Sequence, residues 1–187
     1  MTAFVQVMNE LRDYHKNKLA GGHAIAPQRR SLSSISTVSE VTPEVTRELD
    51  ALQKMSKELA ETQNESMELS IINDAQALSN AGGSQSATEA FKQKMNERRE
   101  REKTLSAENI DKIFDSAIKI GERHPAAQDA IVSVSELISG LFREMSKLFN
   151  DFIIKVVAKV TIWIQTAFED IKNTFGNISG WIRGWFV

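Results

Sequence analysis

The sequence has no cysteine, which excludes a disulfide framework, thiol catalysis and every cysteine-based zinc site. With three prolines and nine glycines in 187 residues, long stretches are free of the two residue types that break helices. The charges are nearly balanced: 23 basic and 25 acidic groups leave a net charge of -2. Bulk attraction to nucleic acid is therefore not expected, and any basic patch must be local. A long hydrophobic run is missing as well. The most apolar window, Leu148–Phe168, contains Asp151, Lys155 and Lys159, and its longest charge-free run, Val160–Phe168, is nine residues. A bilayer-spanning helix needs about 20 mostly apolar residues, so a single span is not expected.

What is present is helical periodicity in three compositional segments: 1–42, 43–125 and 126–187. In the first, Phe4, Val7, Met8 and Leu11 have the spacing of a short amphipathic helix. This start has no basic cluster and no continuous apolar core, so it does not read as a secretory signal. Gly21-Gly22 ends the helix, and a Ser/Thr-rich linker follows to residue 42. Within the linker, Arg29-Arg30-Ser31 has the form of a site for a basic-directed kinase.

In the second segment, Thr42-Pro43-Glu44 supplies a capping hydroxyl, a first-turn proline and an acid at the positive end of a helix dipole. Val45, Leu49, Leu52, Leu59, Met67, Ile71 and Leu78 form a narrow stripe to about residue 79, suited to a coiled coil or one arm of a helical hairpin. Gly82-Gly83 breaks the chain, and Ser86-Ala87-Thr88-Glu89 has capping-box spacing. The sign-alternating run from Glu97 to Lys103 reads as a solvated helix face or connector. Ser106 is expected to begin a further helix that ends at Arg123-His124-Pro125.

The third segment holds nine of the thirteen aromatics and six charges of each sign. From Ile131 through Met145, Phe152, Trp163 and Ile171, apolar residues step by three and four almost without interruption. A continuous helix over Ala126–Phe175 is expected, roughly 75 Å long. Its apolar face, with the Trp181 and Trp185 tail, is the candidate membrane or partner contact: Phe142, Phe149, Phe152, Val156, Val160, Trp163, Phe168, Phe175, Trp181, Trp185 and Phe186. Tryptophan is favoured at the headgroup level of a bilayer, where its ring and its N–H are both accommodated. A polar helical body with an amphipathic, Trp-ended tail resembles several membrane-active groups, pore-forming proteins and membrane-associated pieces of viral polyproteins among them.

The three histidines are far apart in sequence and none has a metal-ligand spacing. His15 reads as a surface residue of the first helix and His124 as a helix C-cap. Gly82-Gly83-Ser84 lacks the preceding strand and the lysine of a phosphate loop. No catalytic residue, cofactor, metal, small-molecule substrate or nucleic-acid partner is expected.

The expectation is thus an all-α protein of about five extended helices, with a hairpin or coiled-coil body and a long amphipathic C-terminal helix. Functionally it is expected to be non-enzymatic, made in the cytoplasm and peripheral to a membrane, binding or perturbing it through the C-terminal helix. The alternative is an assembly protein, a virion or secretion-apparatus component, in which that helix packs in a multimer. A helical partner docking on 42–80 is a third possibility.

Overall fold

A computed structural model describes residues 2–27 and 41–187. The Arg29-Arg30-Ser31 motif lies outside these described residues. Among them there are six α-helices and no strand: α1 (Ala3–Leu19), α2 (Pro43–Asn80), α3 (Gln85–Arg123), α4 (Gln128–Ala158), α5 (Val160–Trp163) and α6 (Ala167–Trp185), with a single 3-10 turn at Pro125–Ala127. The all-α expectation holds.

The first three helices start at local capping groups. Thr2 caps α1 by accepting the Val5 amide at 3.3 Å. Lys16 and Lys18 then face the negative end of the dipole in the last turn. Thr42 caps α2 by accepting the Val45 amide, with Pro43 in the first turn where a missing N–H is harmless. The α2–α3 turn requires two successive left-handed residues, Gly82 at φ +66° and Gly83 at φ +64°. Ser84 caps α3 by accepting the Ala87 amide, so the cap falls two residues before the expected Ser86 box. No break occurs at Ser106, and α3 runs unbroken for 39 residues. Ser106 lies inside it, fully buried.

The chain falls into two compact units, 1–58 with 106–143 and 59–105 with 144–187. These units cut across the three compositional segments, because α2, α3 and α4 each contribute residues to both.

In the first unit α1 runs antiparallel to α3. Lys16 pairs with Asp111 at 2.7 Å and Arg12 with Asp115 at 2.9 Å. The buried face of α1, Phe4, Met8, Leu11, His15 and Leu19, joins Leu49 and Leu52 of α2, Ile113 and Phe114 of α3, and Ile138 and Phe142 of α4 in the core. His15 is therefore not a surface residue; it is 4% exposed. The helical period continues the stripe of Phe4, Met8 and Leu11 directly onto it.

In the second unit α2 and α3 pair antiparallel across the glycine turn. Arg98 reaches Asp74 at 2.6 Å, and Gln63 Nε2 donates to Glu102 Oε2 at 3.0 Å. Against them pack the end of α4 and all of α6, through Phe149, Phe152, Ile171, Phe175, Ile178 and Ile182, each 5% exposed or less. Burying one such side chain is worth about 1.5–3 kcal/mol, so this aromatic cluster is a principal source of the unit's stability.

The structure corrects the expectation of one continuous helix over Ala126–Phe175. The chain leaves α4 after Ala158, makes the single turn of α5 and returns as α6. The corner is made by i to i−3 amide bonds, Lys159 to Val156 at 3.2 Å and Thr166 to Trp163 at 3.0 Å. It uses no residue with positive φ, since the left-handed residues described are all glycines elsewhere.

Candidate functional site

The C-terminal hairpin is the chemically distinctive part of the second unit, and its geometry is fixed by one side chain. Trp163, 6% exposed, packs its ring against Phe91 of α3 at 5.7 Å between centroids and edge-on against Phe152 of α4 at 6.4 Å. Its Nε1 donates to Asp170 Oδ2 at 2.8 Å. The same carboxylate accepts Lys155 Nζ on both oxygens, at 3.0 and 3.1 Å. The end of α4, the corner and the start of α6 are thus tied through Asp170. Farther along the hairpin, Phe175 stacks on Phe149 at 5.8 Å and meets Phe152 edge-on at 5.4 Å. Asn64 of α2 donates to the Phe175 carbonyl at 3.2 Å.

The candidate contact residues divide into three groups. Phe142 is buried in the first unit, while Phe149, Phe152, Val156, Val160, Trp163 and Phe175 are buried in the second. Trp181, Trp185 and Phe186 are half-buried, with the two tryptophan rings 5.2 Å apart in an edge contact. Phe168 alone of the eleven is exposed, at 42%. In the folded chain, the stripe is a core face along most of its length.

Exposed apolar side chains of this unit include Leu69, Leu148 and Val187 as well as a group around the corner. Ile162 is 71% exposed and Ile154 is 50% exposed, and both join Phe168 within a short stretch that also carries the exposed Lys155 and Lys159. Periodicity alone passed over Ile154 and Ile162, because neither falls on the main stripe. The available signal was their being off it: each is an apolar side chain on the face otherwise occupied by Asp151, Lys155 and Lys159. Among the described residues no helix is long and apolar enough to cross a membrane.

Elsewhere in this unit, a trough of about 970 Å³ runs beside α3, lined by Glu89, Lys92, Gln93, Asn96, Glu97 and Glu100 with Val157. Its lining mixes the charged and amide groups of α3 with a larger share of apolar surface, to which Ala90 and Val157 contribute. The chain matches no protein family, no curated protein and no solved structure.

Proposed function

We propose that the protein is a non-enzymatic, membrane-engaging helical protein whose first contact is the corner of the α4–α6 hairpin. The observation that supports this reading is the exposure of Ile154, Ile162 and Phe168 beside Lys155 and Lys159. Isolated exposed apolar residues are ordinary on protein surfaces. Three large ones within the fifteen residues that span the corner, with the exposed Lys159 among them, suit an interface of acyl chains and anionic headgroups. The aromatic stripe behind them is held in reserve. Inserting Phe149, Phe152 and Phe175 requires opening the unit, at about 1.5–3 kcal/mol for each buried side chain, unless the bilayer replaces the surface they lose.

Flotation with vesicles containing phosphatidylglycerol tests the reading. The full chain is expected to float, and Ile154→Asp with Ile162→Asp is expected to remain at the bottom while retaining its helical circular dichroism. Failure of the unaltered chain to float removes the proposal.

A second reading, self-assembly, is favoured by a different observation. Leu148 on α4 is 37% exposed, an apolar side chain of the C-terminal stripe that the second unit leaves uncovered. Under this reading Leu148→Asp lowers the molar mass measured by light scattering. An unchanged mass argues against it.

A further inference from the structure

We infer that Glu44, Glu48 and His124 form a binding site for a divalent transition ion, with Zn2+ as the reference metal. One ligand atom from each of the three comes within 4.8 Å of the others. Two helices build the site. Glu44 and Glu48 are four residues apart on α2 and share a face, while His124 directly follows the last residue of α3. The backbone that carries the imidazole is held on both sides: the His124 amide donates to the Ile120 carbonyl at 3.0 Å, and its carbonyl accepts the Ala127 amide at 3.0 Å.

The observation that points to a ligand is the state of the facing atoms. Glu48 Oε2 and His124 Nε2 are both shut off from solvent, and neither has a hydrogen-bond partner. They lie 3.3 Å apart, within ion-pair range if the imidazole is protonated, yet without the alignment of a hydrogen bond. A tetrahedral zinc ion with ligands at 2.0–2.1 Å separates them by about 3.3–3.4 Å. The pair thus already spans one edge of a zinc tetrahedron. Glu44, exposed at the first turn of α2, brings a carboxylate oxygen within 4.8 Å of both atoms.

The opposite oxygen is already occupied. Arg123 Nη2 donates to Glu48 Oε1 at 2.9 Å, which orients the carboxylate and leaves Oε2 directed at the histidine. A hydrogen bond of this type behind a ligand is what metal sites use to fix their carboxylates. One imidazole and two carboxylates suit Zn2+ and its first-row neighbours better than a hard cation, which takes oxygen ligands alone. Three protein ligands leave a fourth position for water or an added ligand. The bound ion ties the first turns of α2 to the end of α3 within the first unit.

Isothermal titration of the full chain with ZnCl2 tests the site, and Co2+ absorption reports its coordination geometry. One equivalent of Zn2+ is expected to bind, with the visible bands of four-coordinate Co2+ and a melting temperature that rises with metal concentration. Glu44→Gln, Glu48→Gln and His124→Ala are each expected to weaken binding by about tenfold or more. His23→Gln, at an exposed histidine, leaves it unchanged. Because Glu44 is exposed, its variant tests the site even if the other two disturb folding. Absence of Zn2+ uptake by the unaltered chain overturns the inference, as does uptake that Glu44→Gln and Glu48→Gln together leave intact.

Discussion

Arg143 Nη1 lies 3.2 Å from His15 Nδ1, and that single approach fixes the tautomer of a buried histidine. A guanidinium only donates, so Nδ1 accepts and the ring proton sits on Nε2. Burial, reinforced by the positive charge of Arg143, lowers the His15 pKa from 6.5 to about 4. The unfolded chain therefore binds a proton that the folded chain refuses between those two values. Stability is fully present above pH 6.5 and falls as the pH drops toward 4, by on the order of 3 kcal/mol in total. Urea midpoints measured across this range should show the slope, and His15→Leu should flatten it.

Gly121 is a point of contact between α3 and α1. A Cβ there would meet Phe4 Cζ at 2.2 Å, and Phe4 is 2% exposed, with no room to retreat. Gly121→Ala gains about 1 kcal/mol of helix propensity but overpacks the core by about 1–3 kcal/mol. A net loss is expected on thermal melting. Adding Phe4→Leu should recover part of that loss; strict additivity of the two changes would dissociate the glycine from the ring.

Asp170 satisfies two groups at once, so its removal should be felt twice. Asp170→Ala leaves the Trp163 Nε1 proton without its acceptor in a buried site, at about 1–3 kcal/mol, and releases Lys155. Trp163 fluorescence should shift to longer wavelength as the corner admits water. An unchanged spectrum and unchanged melting would show that the ring packing alone holds the corner.

Glu102 carries the opposite pH dependence to His15. Burial raises its carboxyl above the ordinary 4.5, against smaller opposing effects of the Gln63 hydrogen bond and of Arg98 and Arg101. Here the folded chain binds the extra proton, so the contribution is complete below pH 4.5 and is lost as the pH rises through the folded value. Glu102→Gln keeps an acceptor for Gln63 without the buried charge. It should raise the melting temperature at pH 8 and have little effect at pH 4.

The all-helical class, the end of α1 and both termini of α2 were legible in the sequence, because Thr42, Pro43 and the glycine pairs act through their immediate neighbours. The corner at 159–166 was not. Val156, Val160, Trp163, Ala167 and Ile171 keep stepping by three and four through it, since every one of them is buried on both sides of the turn. Periodicity reports which residues are buried and not the path of the backbone between them. The same limit applies to the candidate site. The stripe from Phe149 to Phe175 reads in the sequence as a membrane or partner contact, and in the folded chain it is buried; whether an apolar stripe meets a bilayer, a second copy or the chain's own helices is a tertiary question. The Glu44, Glu48 and His124 cluster was invisible for another reason: it joins two glutamates four residues apart to a histidine 76 or more positions away, a spacing that matches no ligand motif.

The α2–α3 turn has a consequence for handedness. Gly82 and Gly83 are exposed and have nothing within 4 Å of an added Cβ, so space does not exclude a side chain there. Chirality does, because their positive φ angles belong to the region that natural amino acids avoid and their mirror images prefer. D-alanine at these two positions, introduced by chemical ligation, would rigidify the unfolded chain and stabilise the hairpin, whereas L-alanine would strain it.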